Sequence, residues 1–221
     1  MQSLKETYRT VYKGGTAELT EKKSRFIASV FPVQSEEEAL TLIEGLRKKY
    51  WDARHNCYAY TVGSNREHTR ASDDGEPAQT AGKPMLDVIL GMDLYDTLVV
   101  VTRYFGGILL GTGGLVRAYA GAAALGLKES VIIEKTAGVI LRVETDYNDY
   151  GRLEYLIRQK DYPLLNTEFT QNVRLDLAVP VSGQEPAVRD ITEATAGMAK
   201  IRKEKEVWFA RNGKEVLTFF S

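Results

Sequence analysis

One cysteine, two histidines and six prolines in 221 residues rule out several kinds of protein at once. The lone Cys57 cannot form an internal disulfide, which fits a reducing compartment. His55 and His68, without a cysteine pair, do not make a zinc site. Neither sign of charge is in surplus: 29 basic and 30 acidic side chains leave a net charge of −1. No global field is therefore available to hold nucleic acid or an anionic membrane, and any such binding must use a local patch. No apolar run reaches the roughly 18 residues of a membrane span, and the opening "MQSLKETYRTVYKGG" has no apolar core for a secretory leader. The expectation is a cytoplasmic protein with no membrane partner.

What remains is an ordinary globular composition, 43% hydrophobic, enough for one large core or two modest ones. "SEEEALTLIEGLRKKY" places Ala39, Leu42, Ile43, Leu46 and Tyr50 on one helical face, and Ser35 with Glu38 three residues later forms a capping box. "RFIASVFPV" before it and "HNCYAYTVG" after it read as strands, the second with Cys57 and Ala59 on one face. "KPMLDVILG" is a short helix opened by Pro84. "DTLVVVTRYF" is too uniformly apolar to have a wet face, so it suits a central strand, and "TGGLVRAYAGAAALGLKES" is a helix of small residues. After residue 134 the pattern runs strand, helix, strand, strand, helix, strand, with a last strand behind an Asn-Gly hairpin. That order is the split βαβ, or ferredoxin-like, arrangement. The reading is an α+β chain of two domains, residues 1–134 and 135–221.

The densest chemistry lies in "SDDGEPAQTAGKP", where Asp73, Asp74 and Glu76 crowd about one glycine. Like charges this close need a metal, a basic partner or full solvation. Magnesium held by one or two of these carboxylates is one option, and an ordinary solvated turn is another. "RYFGGILLGTGGLVRAY" follows a strand and opens a helix, a place suited to an anion. It fails the Walker pattern, since Leu115 and Val116 follow Gly114, and the dinucleotide pattern, since Val116 stands where the last glycine belongs. His55 and Cys57 share a strand face, but a cysteine beside Tyr58 and Ala59 suits a small buried hydrophobe better than a nucleophile. "KKSRF", "RKKYW" and "DARHN" mix Lys or Arg with an aromatic ring or His, a composition suited to phosphate contact plus stacking.

Taken together, "KKSRFIA", "ARHNCYAY", "SDDGEPAQTAGKPML" and "VVVTRYFGGILLGTGGLVRAY" resemble the YigZ/IMPACT family across nearly the whole chain. The resemblance implies an amino-terminal domain of the ribosomal-protein and GHMP-kinase-like superfold, with a left-handed βαβ crossover. It also implies a carboxy-terminal domain similar to the fifth domain of elongation factor G. It implies a role in translation regulation and no settled enzymatic activity, so no catalytic residue, metal or cofactor is assigned. The motif positions carried over for binding are Lys23, Ser24, Arg25, Arg54, His55, Asp73, Asp74, Glu76, Thr80, Lys83, Arg103, Tyr104, Gly106, Gly107, Gly111, Gly113 and Gly114. The acidic loop is expected to be neutralised by Lys23, Arg25, Arg54 or Arg103. The functional expectation is a non-catalytic module whose partner is RNA, the ribosome or a translation-associated protein. The alternative is a magnesium-dependent phosphoryl-transfer or hydrolytic pocket built from the three carboxylates and the glycine turn.

Overall fold

The computed structural model describes residues 6–220. Met1 to Lys5, the start of the stretch weighed as a leader, lie outside them. The chain is mixed α+β and divides into two compact units, one up to Ile133 and one from Glu134. No helix among the described residues is long and apolar enough to cross a membrane.

The first unit contains β1 (Thr7–Lys13), β2 (Thr16–Glu21), β3 (Ser24–Pro32), α1 (Glu36–Lys49), β4 (His55–Val62), β5 (His68–Ser72), α2 (Gly82–Gly91), β6 (Leu94–Tyr95), β7 (Thr97–Tyr104) and α3 (Gly111–Lys128). Its main sheet has the order β2-β3-β7-β4-β5, with every neighbouring pair antiparallel. β3 and β4 therefore run parallel on either side of β7, joined through α1. Strand alternation splits the apolar side chains between two faces. Phe26, Ala28, Val30, Cys57, Ala59, Val99 and Val101 pack under α2 and α3. Tyr60, Val62, Leu98 and Val100 pack under Ala39, Ile43 and Leu46 of α1. β7 is covered on both faces, which is why its sequence shows no polar alternation. The Ser35 hydroxyl caps α1 by accepting from Glu38 N, while the Glu38 carboxylate reaches Gln34 N, one residue earlier than the standard box. α2 begins at Gly82, two residues before Pro84, which the first turn of a helix tolerates.

β8 (Val131–Thr145) contains the boundary between the units. It is followed by α4 (Tyr147–Lys160), β9 (Leu164–Phe169), β10 (Val173–Pro180), α5 (Gln184–Ala194), β11 (Lys200–Asn212) and β12 (Glu215–Phe219). The strand order within the second unit is β12-β11-β8-β10-β9, antiparallel throughout. Val139, Leu141 and Val143 share the face covered by Leu153 and Ile157 of α4 and Ala187 and Ile191 of α5. The final hairpin corrects the Asn-Gly reading. Asn212 pairs with Glu215, so the turn is Gly213–Lys214. Only Gly213 among the two central residues has positive φ, as a type II′ turn requires of its first central position.

Candidate functional site

Pairing register gathers the motif at one end of the first sheet. Arg25 lies opposite Tyr104, His55 opposite Arg103, Tyr58 opposite Ser72, and Glu21 opposite Ser24. The β2–β3 turn, the α1–β4 connection, the β5–α2 loop and the β7–α3 loop therefore all emerge at this end.

The acidic loop is braced from within. Asp73-Asp74-Gly75-Glu76 is a tight turn closed by Glu76 N donating to Asp73 O at 2.9 Å. Asp74 (φ 42°) and Gly75 (φ 86°) take the two left-handed positions that favour an Asp-Gly pair in a type I′ turn. Each carboxylate has its own donors. Asp73 accepts from the backbone N–H groups of Gln79 at 2.8 Å, Ala81 at 2.9 Å and Gly82 at 2.8 Å. It thereby caps α2, whose own N-cap residue, Ala81, has no side chain that could do so. Burial pushes the Asp73 pKa up, but hydrogen bonds from Gly82, Gln79, Ala81 and Thr80 outweigh it and hold the carboxyl below its ordinary value. Asp74 accepts from Arg47 Nη2 and from Asn56 N, both at 2.7 Å. Glu76, less exposed than Asp74, accepts from Arg103 Nη1 at 2.6 Å and the Tyr119 hydroxyl at 2.7 Å. Only 7% of the Arg103 side chain and 4% of that of Glu76 is exposed.

Of the four cations expected to neutralise this loop, only Arg103 does so. Arg47, part of the "RKKYW" stretch whose composition suited phosphate contact, is the second partner. Arg25 instead makes two hydrogen bonds to Glu18, each 2.9 Å, across the β2–β3 pair. Lys23 and Arg54 are exposed and have no ion pair or hydrogen bond among the described residues. Among those residues, no group of three or more His, Cys, Asp or Glu is arranged to hold a metal.

The remaining motif positions divide between internal bracing and exposed surface. Ser24, Thr80 and Gly106 brace the loops. The Ser24 hydroxyl accepts from Gly106 N at 3.1 Å, and Thr80 donates to Pro77 O at 2.6 Å. A Cβ on residue 106 would lie 2.0 Å from the Lys23 carbonyl carbon, so only glycine fits there. His55 Nδ1 lies 2.9 Å from Asp74 O, within hydrogen-bond reach. Cys57 is buried, with its thiol donating to Asp73 O at 3.0 Å. Burial is the largest influence pushing its pKa far up, so it is held as a neutral thiol and not as a nucleophile. Lys83 is exposed on α2 and paired with Asp87 one turn on. Gly107, Gly111, Gly113 and Gly114 carry the chain into α3, whose first turn has no capping side chain and no acidic residue. Beside Gly114 a cleft of about 230 Å³ is lined by Glu21, Lys22, Leu110 and Arg117.

The outer surface of this end is of a different character. Lys22 (φ 46°) and Lys23 (φ 65°) form the two-residue tip of the β2–β3 hairpin, both exposed and both left-handed. The Tyr104 hydroxyl donates to Asp52 Oδ1 at 2.8 Å, and that hydrogen bond, followed by burial, raises its pKa. The Arg25 guanidinium lies 5.7 Å from the centre of the Tyr104 ring. Trp51 and Leu109 are each 82% exposed and Phe105 is 54% exposed. Sequence reasoning missed Arg47, Asn56 and Tyr119, whose contacts join segments far apart in the chain and leave no local pattern.

Two domain families match separate stretches of the chain. Residues 22–127 match the Impact N-terminal domain, and residues 143–198 match a domain of unknown function, DUF1949. The IMPACT family member YvyE of Bacillus subtilis is 39% identical over 89% of this chain and 91% of its own length. The family member YigZ of Escherichia coli is also 39% identical, over 73% of this chain and 80% of its own. A Protein IMPACT homolog of Dictyostelium discoideum is 40% identical over 46% of this chain but only 30% of its own length. A solved structure described as that of a hypothetical protein superposes with a TM-score of 0.59 at 33% identity, covering 91% of this chain and 99% of the other. With relatives matched along most of both chains, and a domain match that takes in the strands and loops of this sheet end, the chain belongs to the IMPACT family.

Proposed function

We infer that this protein is a non-catalytic binding module of translation, and that its first unit contacts RNA on the ribosome through the loop end of its main sheet. One observation carries the reading. The groups that could perform chemistry are consumed by internal bonds, while cations without partners among the described residues stand outside. Asp73, Asp74, Glu76 and Cys57 all face donors or acceptors of their own chain. Lys22, Lys23 and Arg54 face solvent. A patch of this kind supplies local phosphate contact on a chain whose net charge is −1. Topology adds support by analogy only. The order β11-β8-β10-β9 suits a ferredoxin-like domain, and β3–α1–β4 with β7 between them suits the ribosomal-protein and GHMP-kinase-like superfold. The second unit would then be a further contact surface, and the site of action the cytoplasm.

A salt series of binding to ribosomes and to ribosomal RNA tests this. Affinity is expected to fall steeply with salt, each phosphate contact contributing about 0.7 to 0.9 of a unit to the log–log slope. Lys22→Ala with Lys23→Ala should flatten the slope by somewhat under two units. Arg25→Ala should change it less, because that charge is already engaged by Glu18. Wild-type protein that binds neither ribosomes nor ribosomal RNA at low salt would overturn the reading. So would a magnesium-dependent phosphatase or nucleotidase turnover that Asp74→Asn abolishes.

A further inference from the structure

The surface described above carries exposed rings as well as cations, and the rings are held by fixed backbone. Trp51 sits in a turn closed by Ala53 N donating to Tyr50 O at 3.0 Å. The next residue, Asp52, is tied to the Tyr104 hydroxyl. On the far side of Tyr104, Phe105 lies between two anchored neighbours. The buried Arg103 guanidinium is 5.7 Å from the centre of the Phe105 ring, and Gly106 N is bonded to Ser24. Trp51 and Phe105 therefore flank a hydrogen bond that joins the α1–β4 connection to the end of β7. Lys22, Lys23 and Arg54 stand about the same sheet end without partners among the described residues.

We propose that Trp51 and Phe105 are stacking platforms for unpaired bases, and that the nucleic acid this end takes is single-stranded and not duplex. This rests on the RNA-binding reading above and narrows it. A protein ring can lie against a base only when that base has left the duplex stack, whereas cations serve either form. Both rings stand on backbone tied through neighbouring bonds, which leaves less main-chain freedom to lose on binding. An acidic protein partner would meet the same three cations, but the aliphatic side chains offered beside them, Ile108 and Leu109, make a smaller surface than the aromatic set. The nucleic acid is the better complement.

The test uses the full chain, a short labelled oligouridine strand and an RNA duplex of the same length, at low salt. The strand is expected to bind at least about tenfold tighter than the duplex. Trp51→Ala and Phe105→Ala should each reduce that preference about tenfold, and Trp51→Phe should keep most of it. In a Trp208→Phe background, the strand should quench Trp51 fluorescence. Tyr155→Ala, which removes a ring 69% exposed in the second unit, is the control and should leave the strand-over-duplex preference unchanged. Equal affinity for strand and duplex overturns the proposal. So does a neutral Trp51→Ala in a protein whose salt slope still responds to Lys22→Ala with Lys23→Ala; there the phosphate-contact reading survives and stacking does not. Absence of binding to any RNA sinks both.

Discussion

Glu76, Asp73 and Asp74 have different partners, and the partners order the effect of neutralising each. Glu76→Gln leaves Arg103 buried without its anion, a loss on the order of 3 kcal/mol. Asp73→Asn keeps one acceptor oxygen for three backbone N–H donors and should cost about 1 to 2 kcal/mol. Asp74→Asn disturbs a pair whose arginine side chain is 38% exposed, so solvent screening limits the loss to about 1 kcal/mol. Melting temperatures should fall in that order. An Asp74→Asn protein that melts below Glu76→Gln would show that the more exposed ion pair is the stronger one. Acid adds a second reading of the same loop. The Asp73 carboxyl is held below its ordinary value, so the unfolded chain takes up the proton first as pH falls. Its contribution is intact above about pH 4 and is lost as pH drops through the lower, folded pKa. Asp73→Asn should remove that part of the acid sensitivity. Of this network, Arg103 was legible as a partner because it lies in the motif. Arg47 was not, since its 27-residue separation from Asp74 leaves no spacing to read.

Elements with a strong hydrophobic period were legible, and those without one were not. α1 and the strands β3, β4, β7 and β8 follow the apolar alternation or run that defines their packing. β2, "TAELTE", and β5, "HTRAS", are edge strands with mostly exposed side chains, and no apolar repeat marks them. The β2–β3 turn was invisible for another reason. A two-residue turn with positive φ at both central positions favours Asn-Gly, and here it holds Lys22–Lys23. The two lysines occupy a backbone conformation that costs on the order of 1 kcal/mol each. Installing the favoured pair by Lys22→Asn with Lys23→Gly should stabilise the first unit by about 1 kcal/mol while weakening ribosome binding. A double variant that gains stability and binds as well as wild type would mean that the tip is unrelated to function.

At the scale of the whole molecule, each unit has an apolar cluster of its own: the layers on both faces of the main sheet in one, and the face under α4 and α5 in the other. A fragment of residues 1–134 keeps every residue of the first unit and is expected to melt cooperatively on its own. Aggregation, or a spectrum without fixed side-chain packing, would mean that the halves stabilise one another. The change in strand and helix order near residue 134 lies beside the division into compact units after Ile133. The gathering of the motif about the acidic loop was expected from the resemblance, but the partner of each carboxylate was not, because it depends on register between strands far apart in sequence. The placement of Cys57 gives this chain a built-in clock. It is the only thiol in 221 residues, and it is sealed beneath Asp73 in one unit of two. An alkylating reagent reaches it only when that unit opens, so the labelling rate reports the opening equilibrium of the first unit while the second contributes no signal.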